Sequence, residues 1–161
     1  GSEMCIRDRH ETGRYSKAHC HESAAILICV KGKGYTYTWP EGLGMTPWKD
    51  GKGDKVLRQD YEFGGMVSAA PMSGDWFHQH FGVSKDPLRF TAWFGANNHS
   101  ALKPGRPGEA MADIWAIDIK KGGRAIPYNE EDPYIRKEFV ETLAAEGVPS
   151  RMEDKLYEKG D

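Results

Sequence analysis

Cysteine is scarce in this chain: Cys5, Cys20 and Cys29 are the only three. An odd number without CxxC spacing suggests neither a disulfide framework nor a zinc ribbon, and free thiols in a reducing compartment are the plain reading. Long apolar runs are also missing. The longest, Ala24 to Val30, is seven residues, far short of the roughly 20 that span a bilayer as a helix. No charged-then-apolar leader precedes it, so the expectation is a soluble cytoplasmic protein with no membrane partner. Charge of one sign is absent as well: 22 Lys and Arg face 24 Asp and Glu, for a formal net charge of −2. Without a basic face there is no field to capture a polyanion, and nucleic acid is not an expected partner.

What is present fits one domain. A chain of 161 residues can bury a core without help from disulfides or metals. Its first residues look foreign. Gly1 and Ser2 resemble a cloning scar, and Met4 to Arg9, MCIRDR, resembles the translated adapter found at the ends of some metagenome-derived reading frames. Residues 1–9 are therefore set apart. Residues 10–120 alternate apolar and aromatic with polar residues in short runs between Gly, Pro and Asp clusters, the pattern of an all-β barrel or sandwich. Strands are expected over 14–21, 24–31, 35–39, 55–61, 65–69, 77–81, 89–94 and 114–119. Residues 40–54 and 97–108 read as long loops.

Residues 121–161 change period and form a C-terminal extension. Asp132 can cap a helix and Pro133 fits its first turn. Ile135, Phe139 and Leu143 recur every four residues, and Gly147 with Pro149 ends the run. A helix over about 133–146 is expected, packed on the barrel or on a neighbouring subunit.

The chemistry-bearing residues are histidines. His19 and His21 stand two apart on an expected strand, so both side chains share a face, and His78 and His80 repeat the arrangement on another strand. Two such strands facing one interior bring four imidazoles together. Buried without a metal they would be desolvated for little return, and imidazole suits Fe, Cu, Ni and Zn.

These residues resemble the cupins. That family carries G(x)5HxH(x)3-4E(x)6G followed by G(x)5PxG(x)2H(x)3N. Here Gly13, His19, His21 and Gly32 fit the first motif, and Gly65, Pro71 and His78 the second. The chain departs from the pattern in three places. Ala25 or Ile26 stands where the glutamate belongs, Gly82 stands where the asparagine belongs, and the step from Pro71 to His78 is two residues longer than the motif. Glu22 is near the first pair, but strand parity points it opposite to His21. HCHESAA (19–25) and DWFHQHFG (75–82) are similar to the corresponding segments of gentisate-type dioxygenases, whose metal is held by three histidines. Bacterial cupins labelled as ammonia-lyase activating proteins share an HQHF segment and a tail like DPYIRKEFVETLAAEGVPSRM. The resemblance implies an all-β cupin, a double-stranded β-helix or jelly-roll barrel, with a C-terminal α-helix. It further implies one divalent ion, Fe(II) before Mn, Ni, Cu or Zn, held by His19, His21 and His78. His80 is then a catalytic acid–base or an orienting neighbour of His78. A small-molecule substrate and O2 are the implied partners, together with a homodimer.

Neutral ligands would leave the ion its positive charge and up to three open positions, which suits an anionic chelating substrate. Tyr35, Tyr37 and Trp39 alternate on one strand, Trp76 shares the parity of His78 and His80, and Trp93 follows on the next strand. All five are candidate substrate walls, although an aromatic stripe at period two is more often plain core. Arg58 and Arg89 are weaker candidates for meeting a substrate carboxylate. The leading expectation is a metal-dependent oxygenase. Its rivals are a non-oxidative isomerase, lyase or decarboxylase, and a ligand-binding cupin without turnover.

Overall fold

A computed structural model describes residues 9–21, 24–71, 75–94 and 116–158, with the backbone alone for Arg9, His21 and Phe94. The described residues form eight strands: β1 Arg9–His10, β2 His19–His21, β3 Ala25–Lys31, β4 Gly34–Pro40, β5 Leu57–Tyr61, β6 Met66–Ala70, β7 Trp76–Gly82 and β8 Leu88–Phe94. They build two four-stranded antiparallel sheets, in the orders β1-β8-β3-β6 and β2-β7-β4-β5, and neither sheet closes on itself. The fold is thus a β-sandwich. Its pairing has a simple rule: β1 meets β8, β2 meets β7, β3 meets β6 and β4 meets β5. A long ribbon folded at the β4–β5 hairpin and then rolled produces that set, with alternate pairs falling in opposite sheets. Among the described residues no helix is long and apolar enough to cross a membrane.

Two expected strands are cut back. Of 14–21 only His19–His21 is strand, and Tyr15 makes a single bridge to Phe81. The chain before His19 spends its hydrogen bonds on the C-terminal extension instead. Ile126 N donates to Ala18 O at 2.8 Å, Arg151 N to Gly13 O at 2.8 Å and Tyr128 Oη to Tyr15 O at 2.8 Å. In the described part of 114–119, Asp118 forms one bridge with Ala125 and a 3-10 turn begins at Ile119. The 40–54 loop joins β4 to β5 as expected, with short 3-10 turns at Glu41–Leu43 and Gly53–Lys55. The 97–108 loop, Cys5 and Glu22 lie outside the described residues. Cys20 and Cys29 are free and buried, and burial pushes the Cys20 thiol up to about 11, so it stays protonated and inert.

Helix α1, Pro133–Ala145, covers the outer face of the second sheet. Asp132 caps it by accepting from Tyr134 N at 3.0 Å, and its other oxygen accepts from Lys49 N at 2.9 Å. At the far end Gly147 takes φ 65°, and Val148 N reaches back to Leu143 O at 2.9 Å, which closes the helix in a left-handed cap. Ile135, Phe139 and Leu143 are all buried, as their spacing predicts, against Tyr35, Tyr37 and Phe81 of the sheet. Phe139 lies 4.7 Å from the ring of Tyr15 and 5.8 Å from that of Phe81.

A buried carboxyl ties the extension to this sheet. Glu131 accepts from the hydroxyl of Tyr15 and from Gln79 Nε2 at 3.1 Å. Burial pushes its pKa up to about 7, outweighing the opposing pull of those two hydrogen bonds and of Arg136. The raised value means the folded state binds a proton more tightly than the unfolded chain. The stability this contributes is complete below about pH 4.5 and is lost as pH rises through about 7. Glu131→Gln keeps the oxygen that Tyr15 needs and removes the titrating group, at the cost of the bond from Gln79 Nε2. The variant is expected to flatten the pH dependence of urea unfolding between about pH 5 and 8. Parallel stability profiles for the two proteins would refute the assignment.

Candidate metal centre

Strand β7 lies between β2 and β4 and is buried on both faces, so its period-two alternation decides what the site contains. Phe77, Gln79 and Phe81 face α1. Trp76, His78 and His80 face the other sheet, where His80 stands 5.2 Å from the ring of Phe90 on β8. Register supplies the neighbours. His19 is directly opposite His78 and the His21 backbone opposite Trp76, while on the other side Thr38 is opposite His78 and Thr36 opposite His80.

The described imidazoles converge. His19 and His78 have ring centroids 4.3 Å apart, His78 and His80 5.5 Å, and His19 and His80 6.4 Å. His78 and His80 are only 2% and 6% exposed. The Nδ1 of His78 is 3.2 Å from the carbonyl of Trp76, and that of His19 is 3.4 Å from the carbonyl of Lys17. A carbonyl only accepts, so in each contact Nδ1 is the donor, which leaves Nε2 as the nitrogen turned to the site. That is the orientation a metal-binding histidine needs, held in place by its own strand. His80 is positioned differently, with Nδ1 2.9 Å from the hydroxyl of Tyr61.

The donor chemistry of these residues fits a divalent transition metal: imidazoles oriented through Nδ1, one buried at His78 and one half-buried at His19. Among the described residues, no group of three or more His, Cys, Asp or Glu stands ready to hold an ion. The side chain of His21, the third expected ligand, lies outside the described set.

The aromatic residues are sorted by the same alternation. Trp76 lies on the histidine side and packs against the inter-sheet cluster that contains Tyr61 and Phe90. Tyr35, Tyr37 and Trp39 do not join it. They pair across β4 with Phe81, Gln79 and Phe77, so they occupy the face under α1, where they are 0%, 4% and 0% exposed. They are core, not a substrate wall. Trp93 lies on β8, the strand after the histidines, as expected; it points out of the first sheet beside Ile26 and is 58% exposed. Arg58 bonds Glu138 of α1 at 2.8 Å and lies 4.0 Å over the Tyr35 ring, and Arg89 is exposed, so neither faces the histidines.

Sequence reasoning missed several residues on this face. His10, on β1 of the first sheet, stacks on Phe90 at 5.4 Å and stands 5.5 Å from His80. Burial pushes its pKa down to about 4, which keeps it neutral at pH 7. As a lone histidine beside a segment set apart as foreign, it gave no signal. Tyr61, Thr38 and Gln59 could have been found by continuing the parity of Thr36 and Thr38 across the hairpin to β5, where Gln59 is opposite Thr36. The Thr36 hydroxyl donates to Gln79 O at 2.9 Å, whereas Thr38 Oγ1 and Gln59 Oε1 are buried with no hydrogen-bond partner among the described residues.

No model of a known protein family matches this chain, and no curated protein matches it. The site therefore rests on its own geometry. Removing the Tyr61 hydroxyl tests one contact in it: Tyr61→Phe deprives His80 Nδ1 of that partner and is expected to cost about 1–2 kcal/mol in urea unfolding. An unchanged midpoint would mean that the contact adds nothing to the fold.

Proposed function

We propose that this protein is a cupin that binds one divalent metal ion, Fe(II) before Mn, Ni, Cu or Zn, and oxidises a small, hydroxylated or aromatic chelating substrate with O2. The observation that carries the reading is the cross-strand pair His19 and His78, each with Nδ1 directed to a carbonyl of its own strand. The rolled-ribbon pairing supports it further, because the eight-stranded jelly roll of cupins is built from two Greek keys in that order. His19, His21 and His78 are the residues that would hold the ion. Bound there, a divalent ion supplies positive charge and open coordination positions for a chelating substrate and O2. The chain's own contributions are to exclude water with Phe90, Tyr61 and Trp76 and to place His80 beside the substrate. His80, with Tyr61 at its Nδ1, is the residue to hold or move a proton at a substrate hydroxyl.

Metal analysis of the purified protein and of His78→Ala tests the ligand assignment. The parent is expected to carry close to one ion per chain and the variant to lose most of it, since even a lost orienting partner of a ligand typically costs about 10–100-fold in affinity. Equal metal content would sink the assignment. Oxygen uptake by the iron-loaded protein, offered hydroxylated aromatic acids and 1,3-dicarbonyls, then tests the chemistry. Turnover that proceeds equally well under argon would replace the oxygenase by a Lewis-acid isomerase, lyase or decarboxylase.

A homodimer belongs to the same reading. The outer face of the first sheet exposes Ile26, Val30, Met66 and Trp93, at 38%, 47%, 70% and 58%, and contiguous apolar surface of this kind marks association sites. Light scattering is expected to find a dimer that Trp93→Glu converts to monomer. A monomeric parent would remove this element of the proposal.

A further inference from the structure

The histidine face carries two buried polar atoms that have no hydrogen-bond partner among the described residues. Thr38 is 1% exposed and sits directly across from His78, yet its hydroxyl makes no hydrogen bond among the described residues. Its neighbour on the same face, Thr36, shows what β4 does when a hydroxyl serves only structure: Thr36 Oγ1 donates to the carbonyl of Gln79 at 2.9 Å. Gln59, on the adjoining strand β5, is opposite Thr36 and therefore diagonal to Thr38, and its Oε1 is likewise buried and unpartnered. Diagonal neighbours on one face of an antiparallel pair lie about 7 Å apart, within reach of a shared third group.

An orphaned buried hydroxyl or amide is destabilising, and natural folds keep few of them. Valine at 38 and leucine at 59 would fill similar space without that cost. The two atoms are also complementary in kind. A threonine hydroxyl can donate a proton and an amide oxygen can accept one, and a ligand hydroxyl lying between them does both.

We propose that Thr38 and Gln59 form a hydroxyl-recognition subsite, which selects a substrate carrying a second hydroxyl remote from its metal-chelating atoms. The inference rests on the metal-site reading for the placement of the chelating end, and on the unpartnered pair for the remote end. A site built to bond a hydroxyl rejects the analogue lacking it strongly, because the protein groups are then left bare in a buried place. The ring contacts available from Trp76, Tyr61 and Phe90 suit a flat substrate.

Fluorescence titration of the zinc-loaded protein with salicylate, 2,4-dihydroxybenzoate and 2,5-dihydroxybenzoate reads the subsite without turnover. The parent is expected to bind one of the dihydroxy acids at least tenfold more tightly than salicylate. Thr38→Val and Gln59→Leu are expected to abolish that preference while salicylate affinity and zinc content stay as in the parent, and Thr38→Ser, which restores a hydroxyl, is expected to keep it. Without ligand, the two apolar variants should melt about 2–4 °C above the parent, as removal of an orphaned group predicts. A parent with no preference, or a preference that survives in both apolar variants, overturns the proposal. So does a melting temperature lowered by 5 °C or more in both, which would show that the groups already serve the fold. A parent that takes up no zinc but still discriminates through Thr38 and Gln59 would overturn the metal reading and leave the subsite standing.

Discussion

Strand β7 is the constraint from which the rest follows. It has a hydrogen-bonded neighbour on each side and packed material on each face, so each residue of WFHQHFG is committed by parity to one of two interiors. A slip of one residue would carry His78 and His80 under α1 and drive Phe77 and Phe81 into the space between the sheets. The pairing of His19 with His78 and of Thr38 with His78 fixes that register from both sides.

The two interiors differ in chemistry. Under α1 the sheet presents tyrosines, phenylalanines and Trp39, joined by the buried carboxyl network of Glu131, Tyr15 and Gln79. This is ordinary packing, with dispersion and apolar burial as the driving terms. Toward the other sheet the same strands present His19, His78, His80, Thr36, Thr38, Gln59 and Tyr61. A sandwich that needed only stability would bring apolar residues to that face. Tolerating so many polar groups there is a local conflict of the kind that marks functional sites. Gln79 is the one residue of β7 whose polar head serves the helix side, and it links the histidine strand to the extension that closes over the sheet.

Much of this was legible in the sequence. Alternation located β3, β4 and β6 to β8 to within a residue or two, because half-buried and fully buried strands display their faces in period two. The four-residue apolar spacing of α1 and its caps were equally plain, since Asp132, Pro133 and Gly147 act on their own local backbone. The HxH pairs announced a shared face. Residues 14–18 read as strand yet are not, because the carbonyls of Tyr15 and Ala18 go to Tyr128 and Ile126, more than a hundred positions away, and local pattern carries no trace of such partners.

The sequence by itself therefore determined the elements, the parity within each strand and the two histidine pairs, all of which depend on short-range geometry. Only the tertiary structure decided which of two buried faces each parity meets. Tyr35, Tyr37 and Trp39 look the same in a sequence whether they line a site or lie beneath a helix, and the helix that settles the matter arrives about a hundred residues later. The same holds for His10 and Phe90, for Tyr61 beside His80, and for Thr38 and Gln59. Each was brought to the histidines by pairing between distant strands, and pairing is set by how the ribbon rolls as a whole.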